Sequence, residues 1–217
     1  MKRTADSFEE ISDKSIVEYE DASQPEIDLV FVLDKSGSMH NAVEDTIGGF
    51  NSFIQKEKDQ NPNTLVTLVL FDDEYKVLYT RKPIAEVDEL TRREYFPSGC
   101  TALLDAVGHT INSLDKEISN KVMFVITTDG LENASRKFTK EQVKELIAGH
   151  DWEFLFIGAD IDAYAEAESI GIGRSRTARY RKSPEGVNLF YRSVNRFKRS
   201  YENDEQDRGV EWKRDLE

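Results

Sequence analysis

Asp34, Ser36 and Ser38 stand at alternate positions directly after the apolar run Leu29-Val30-Phe31-Val32-Leu33. A run of that length ending in a carboxylate and two hydroxyls reads as a buried strand that delivers oxygen donors at its carboxyl end. The arrangement recurs at Val122-Met123-Phe124-Val125-Ile126-Thr127-Thr128-Asp129-Gly130. Between the two lies Ser98-Gly99-Cys100-Thr101-Ala102-Leu103, a turn that presents a threonine hydroxyl at the start of an apolar-periodic stretch. The chain thus offers five candidate oxygen ligands, Asp34, Ser36, Ser38, Thr101 and Asp129. With no thiolate and no histidine pair beside them, such hard donors select magnesium, calcium or manganese over zinc. Three of the five are neutral hydroxyls. If Asp34 and Asp129 act mainly through water or through hydrogen bonds to the seryl hydroxyls, a bound cation keeps most of its charge and attracts an anionic oxygen from outside.

The elements that must position these donors are legible in the same pattern. Strand one is expected over Ile27–Asp34, followed by a helix across Ala42–Lys58 with Val43, Ile47, Phe50 and Ile54 on one face. Leu65–Phe71 and Tyr75–Tyr79, separated only by Asp72-Asp73-Glu74, are expected to pair as a hairpin, which places one antiparallel strand at a sheet edge. A charged loop over Ala85–Pro97 leads to the threonine turn. The helix after Thr101 carries Leu104, Val107, Ile111 and Leu114 on one stripe, and Val122–Thr128 is the next strand. Thr139-Lys140-Glu141-Gln142 is a capping box for a helix that stops at Gly149. Trp152–Gly158 is another buried strand, Ala163–Ile170 a short helix and Ser175–Tyr180 a weak strand. Ser183-Pro184-Glu185 opens a last helix with Val187, Phe190, Tyr191, Val194, Phe197 and Tyr201 as its stripe. Strands alternating with helices indicate an α/β fold: a mainly parallel central sheet with one antiparallel edge strand and helices on both faces. In such sheets the ligand edge is the carboxyl end of the strands, where Asp34, Asp129 and Asp160 all fall. Asp160 and Asp162 read as helix caps, and Asp72 and Asp73 as hairpin-turn residues.

Asp-x-Ser-x-Ser, then Thr, then Thr-Asp-Gly, each at a strand or helix end, resembles the metal-ion-dependent adhesion site (MIDAS) of the von Willebrand factor type A (vWA) domain, here of the stand-alone bacterial type. The resemblance covers roughly Glu26 to Tyr201 and implies a three-layer Rossmann-like fold. It also implies that Ser36, Ser38 and Thr101 hold Mg2+, or Ca2+ or Mn2+, while Asp34 and Asp129 orient the ligands and balance charge. In this family the open coordination position is filled by an aspartate or glutamate of a partner protein, so the ion is a docking point and no general base or nucleophile is needed. Stand-alone bacterial relatives often work beside AAA+ ATPases, protein kinases and phosphatases, or stress-response systems. One departure is Cys100, where many members have a second glycine beside the threonine.

Composition bounds the remaining classes. The 217 residues, 38% of them hydrophobic, suffice for one α/β domain over residues 26–203, with a charged arm over 1–25 and a charged, frayed tail over 204–217. The first residues lack an apolar signal core, no apolar stretch approaches about 18 residues, and the single cysteine cannot form an internal disulfide, which together point to the cytoplasm and away from membranes. A net charge of −13 argues against nucleic-acid binding by the whole surface. Against that total, residues 174–199 carry nine cations and Glu185 as the one anion. They read either as a solvated helix face and loop that pair with the acidic body, or as a second docking surface for an acidic or phosphorylated partner or a nucleic acid. A magnesium-dependent phosphoryl-transfer enzyme with Asp34 as nucleophile is the other alternative. It would require a second acid two residues on, where this chain has Ser36, and no lysine or arginine sits at the Thr101 or Asp129 motifs.

Overall fold

A computed structural model of the chain describes residues 27–115, 118, 120–203, 205 and 209–216. The arm expected over residues 1–25 lies outside them. Six strands form one sheet: β1 (Ile27–Asp34), β2 (Thr64–Phe71), β3 (Tyr75–Pro83), β4 (Lys121–Thr128), β5 (Glu153–Ala159) and β6 (Thr177–Tyr180). Five α-helices cover it: α1 (Val43–Gln60), α2 (Leu103–Leu114), α3 (Lys140–Ala148), α4 (Ala163–Ser169) and α5 (Pro184–Glu202). The strand order is β3-β2-β1-β4-β5-β6, with every pairing parallel except β2 with β3.

The apolar run of β1 is buried at every position because parallel strands need cover on both faces. Its side chains alternate between the layers. Leu29, Phe31 and Leu33 pack with Phe50, Phe53, Val194 and Phe197 of α1 and α5, whereas Val30 and Val32 pack with Val107 and Ile111 of α2. Burying each such side chain stabilises the fold by about 1.5–3 kcal/mol, an upper bound for a chain already partly collapsed when unfolded. The chain leaves β1 toward β2 on one side and reaches β4 on the other, so the order reverses between β1 and β4. Asp34 ends β1 and Asp129 directly follows β4 at that switch point.

The boundaries agree with expectation to within a few residues, with three refinements. A 3-10 turn over Gly37–Ala42 separates the serine motif from α1. β3 runs on to Pro83, past register shifts opposite Val66–Val69. The loop after it is anchored by buried Val87, Leu90 and Tyr95. The capping box of α3 is formed in both directions, and Ser183 caps α5. The tail expected to be frayed behaves otherwise over residues 210–216. Trp212 is buried against Phe197, its indole N–H donates to the Ser175 carbonyl at 2.8 Å, and Lys213 donates to the Thr177 carbonyl at 2.8 Å. A lone tryptophan in a charged run outweighs the run's polarity once a groove beside α5 accepts it.

Candidate metal centre

The five sequence-predicted donors converge at the carboxyl edge of β1 and β4. Asp34 is buried and both its oxygens are engaged: Oδ1 accepts the Ser36 backbone N–H at 2.6 Å and Oδ2 accepts the Thr128 hydroxyl at 2.6 Å. Burial pushes its carboxyl up to about 6, against the lowering effect of those two donors and with Asp129's charge adding to the rise. The Ser38 hydroxyl donates to Asp129 Oδ1 at 2.5 Å, which leaves the Ser38 oxygen lone pairs available to accept a hydrogen bond or bind a cation. Ser36 Oγ lies 3.1 Å from Ser38 Oγ. Two oxygens at adjacent corners of an octahedron with about 2.0–2.1 Å bonds stand about 3 Å apart, so this spacing fits magnesium.

Thr101 reaches the same place from the opposite loop. A Cβ on Gly130 would stand 2.6 Å from Thr101 Oγ1 and 3.7 Å from Ser38 Oγ, so the absence of a side chain at 130 keeps open the space between the two hydroxyls. Three hydroxyls and two carboxylates around a cleft held open by a glycine fit a hard divalent cation, with no nitrogen or sulfur in the set. Among the described residues, no cluster of three or more His, Cys, Asp or Glu side chains offers a competing site.

Several residues that hold this geometry carry no sequence signal of their own. Asn133 Oδ1 accepts the Thr101 N–H at 2.9 Å, while the Asn133 and Ala134 amides donate to the Thr101 carbonyl. Tyr95, fully buried, donates to the Asp34 carbonyl at 2.6 Å. Lys35, inside the motif, turns away from the cleft to an ion pair with Asp72, whose carboxylate also accepts the Ser98 hydroxyl at 2.7 Å and the Glu74 amide at 2.7 Å. Burial raises the Asp72 carboxyl, and these donors, Lys35 first, more than offset it and hold it below the ordinary value. The backbone adds Gly37 N–H to Gly99 O at 3.2 Å and Ser98 N–H to Lys35 O at 2.9 Å, so the serine and threonine loops are stitched together. Gly99 meets the turn's demand with φ +62°, and Cys100, the departure beside it, is exposed.

The statement that no lysine sits at the Asp129 motif holds in sequence and fails in space. Lys182, from the segment between β6 and α5, places its ammonium 2.9 Å from Asp129 Oδ2 and 2.8 Å from Asp160 Oδ2. Asp162 caps α4 as expected, accepting the Ala165 N–H, whereas Asp160 is this lysine's partner and takes a left-handed backbone at φ +55°.

The basic stretch does not form one solvated face. Arg176 pairs with Glu153 at 2.6 Å, Arg174 and Arg179 lie over the Tyr164 ring, and Arg196 pairs with Asp215 at 2.5 Å. Lys198 is wholly buried. Arg192 and Arg199 of α5 are exposed, as are Arg174, Arg179 and Arg181 before it.

Residues 29–132 match the family model of the von Willebrand factor type A domain. No curated protein sequence matches the chain. Among solved structures, the vWF domain of the type V pili tip protein Mfa5 from Porphyromonas gingivalis superposes with a TM-score of 0.61 at 11% identity, over 80% of this chain and 96% of that one. The PilB minor pilin from Streptococcus sanguinis gives 0.63 at 15% identity, over 84% of this chain and 63% of the pilin. Proximal thread matrix protein 1 from the mussel byssus, solved with a zinc-occupied MIDAS motif, gives 0.57 at 17% identity, over 79% of this chain and 45% of that one. The chain therefore spans less than two thirds of the pilin and of the byssus protein, and at these identities the likeness is one of fold. Residues 29–132 are thus similar in sequence to the von Willebrand factor type A domain, and the fold built around them is the one these structures share.

Proposed function

We propose that this domain is a metal-dependent protein-interaction module rather than an enzyme. Ser36, Ser38 and Thr101 would hold a magnesium ion, or calcium or manganese in its place, while Asp129 orients the Ser38 hydroxyl and Asp34 fixes the serine loop through the Ser36 amide and ties it to β4 through the Thr128 hydroxyl. A bound cation supplies the positive charge to which an aspartate or glutamate of a partner protein coordinates. The single observation that carries the reading is the convergence of the Ser36, Ser38 and Thr101 hydroxyls on a cleft kept open by Gly130. Two large apolar side chains on the loops that flank the cleft support a protein as the partner: Phe96 is 67% exposed and Leu131 57%. The byssus protein with an occupied metal site is in keeping with it.

The setting we propose is a cytoplasmic bacterial complex, with an AAA+ ATPase, kinase or phosphatase system as partner. No helix among the described residues is long and apolar enough to cross a membrane. Phosphoryl transfer through Asp34 is disfavoured because that carboxylate is only 1% exposed and both its oxygens are already hydrogen-bonded, a poor nucleophile by access alone.

A pull-down from lysate with and without chelator, repeated with a Ser36→Ala, Ser38→Ala variant, tests the proposal. The expected result is a partner retained by the metal-loaded native protein alone, and lost when one of its own acidic residues is replaced. A partner that binds equally well in chelator and to the variant would overturn it.

A further inference from the structure

Asp129 is pulled from two sides. Its Oδ1 accepts the Ser38 hydroxyl, and its Oδ2 lies 2.9 Å from the Lys182 ammonium. The Asp129 side chain has no exposed surface and that of Lys182 is 19% exposed, so this ion pair is poorly screened by solvent. The second partner of the same ammonium, Asp160 Oδ2 at 2.8 Å, belongs to a side chain 61% exposed. Lys182 therefore bridges a ligand-orienting carboxylate inside the cleft and a carboxylate at its rim.

The backbone that carries Lys182 is fixed. The Ser183 N–H donates to the Arg181 carbonyl at 2.8 Å, the Gly186 N–H donates to Ser183 Oγ at 3.1 Å, and a Cβ on Gly186 would stand 2.1 Å from the Arg181 carbonyl oxygen. This tight turn holds residue 182 beside the ends of β4 and β5. A lysine side chain has the reach to exchange partners without moving that turn.

Two buried carboxylates, Asp34 and Asp129, face a cleft that by the reading above takes a divalent cation. Placing two negative charges together out of water is unfavourable unless a cation compensates them. Lys182 supplies one compensating charge from within the chain, and it does so on the carboxylate oxygen that the Ser38 hydroxyl leaves unused. From this the geometry points to Lys182 as a resident counter-cation that competes with the divalent ion for Asp129 and so sets how tightly the site holds metal. Asp160 gives the ammonium a solvent-side partner that it keeps when Asp129 turns to the metal. In the absence of metal Lys182 offsets one of the two buried carboxylate charges and leaves one uncompensated. With a divalent cation bound, the two carboxylates, the ammonium and the ion sum to one positive charge, Asp160 being the solvent-screened partner at the rim, and this excess attracts a carboxylate from outside.

This inference rests on the docking reading, and magnesium alone serves as the probe. Isothermal titration at low ionic strength is carried out on the native chain, on Lys182→Met and Lys182→Gln, and on Lys76→Met, which removes one charge at an exposed position of β3. Both Lys182 variants should bind magnesium about tenfold more tightly or better, and Lys76→Met should bind as the native chain does. Thermal unfolding gives a second readout that a merely structural lysine would not move. In chelator the Lys182 variants should melt below the native protein, and that gap should close as magnesium saturates. A third, on the native protein itself, is the Lys182 ammonium resonance, which should shift as magnesium is added. Unchanged or weaker binding in both variants, or a resonance indifferent to magnesium, would overturn the role assigned to Lys182 while leaving the docking site intact. Absence of magnesium uptake by every one of these proteins would remove the docking site and this inference together.

Discussion

Lys198 Nζ lies 2.9 Å from Glu57 Oε2, and neither side chain has any exposed surface. The pair ties α5 to α1 beneath the groove between them. Glu57 also accepts from Asn61 at 3.0 Å and from Asn195, and Lys198 pairs with Glu202 as well, so the buried charges sit in a hydrogen-bonded network. Removing one partner of such a pair leaves the other uncompensated out of water. Lys198→Ala should therefore cost about 3–5 kcal/mol in denaturant unfolding. The double replacement Glu57→Gln, Lys198→Met should cost less than Lys198→Ala alone, because it removes the wholly buried charge of Glu57 and leaves only the partly exposed Glu202 without its partner. A double variant at least as unstable as Lys198→Ala would show that packing, not charge, dominates there.

Gly130 is the residue whose side chain would fill the cleft. Its φ is not in the left-handed region, so an alanine is free of backbone strain, yet its Cβ would approach Thr101 Oγ1 to 2.6 Å. Magnesium should stabilise the native chain by RT ln(1 + [M]/Kd), about 2.7 kcal/mol at a hundredfold excess over Kd. For Gly130→Ala that gain should vanish, with a well-formed fold in chelator. A melting-temperature series against magnesium concentration for the two proteins measures this directly. An undiminished magnesium response in the variant would mean that Thr101 does not border the metal.

Asp105 anchors the loop that carries Asn133 to Thr101. Its carboxylate accepts the backbone N–H groups of Arg136, Lys137 and Phe138 at 2.9, 2.8 and 2.9 Å. Partial burial raises its carboxyl, and the three amides more than offset that, holding it below the ordinary value. A lowered folded value means that the unfolded chain takes up the proton first. The contribution is complete above the unfolded value of about 3.9 and is lost as pH falls from there through the folded value. The stability difference between native and Asp105→Asn proteins should accordingly be constant between pH 5 and 7 and shrink toward pH 3. Urea unfolding across that range checks it, and a difference that does not change with pH would show that Asp105's charge is not what holds the loop.

The core of the site was legible because strand and motif are contiguous: an apolar run fixes where Asp34 and Asp129 end up, and the hydroxyls follow within four residues or one turn. Lys182 and Asn133 were not, since each arrives from a different crossover and neither residue type announces a partner. The reading of the basic segment as a face and loop paired with the acidic body holds for Arg176, Lys182 and Arg196 and fails for Lys198, for a recoverable cause. Lys198 stands at i+4 from Val194 and i−3 from Tyr201, on the same stripe as Phe197, so helical spacing alone placed it on the buried side. Reading residues 174–199 by charge instead of by period turned an internal ion pair into part of a surface.

Arg192 and Arg196 share a helix face but differ in what they hold. Arg192 is exposed on α5, whereas Arg196 donates to the Glu211 and Trp212 carbonyls at 3.2 and 3.1 Å and to Asp215 at 2.5 Å. Those contacts clasp the stretch in which Trp212 buries its ring against Phe197. Arg192→Gln should change stability by less than about 0.5 kcal/mol, as surface replacements do. Arg196→Gln loses charge-assisted hydrogen bonds to two carbonyls and a carboxylate and should cost about 1–2 kcal/mol, with the loss local to residues 210–216. Hydrogen exchange is the discriminating measurement: the Trp212 indole N–H and the amides of Lys213 and Leu216 should lose protection in Arg196→Gln while those of β1 and β4 keep theirs. Equal protection in the two variants would mean that Trp212 packing alone holds the segment and that Arg196 is dispensable to it.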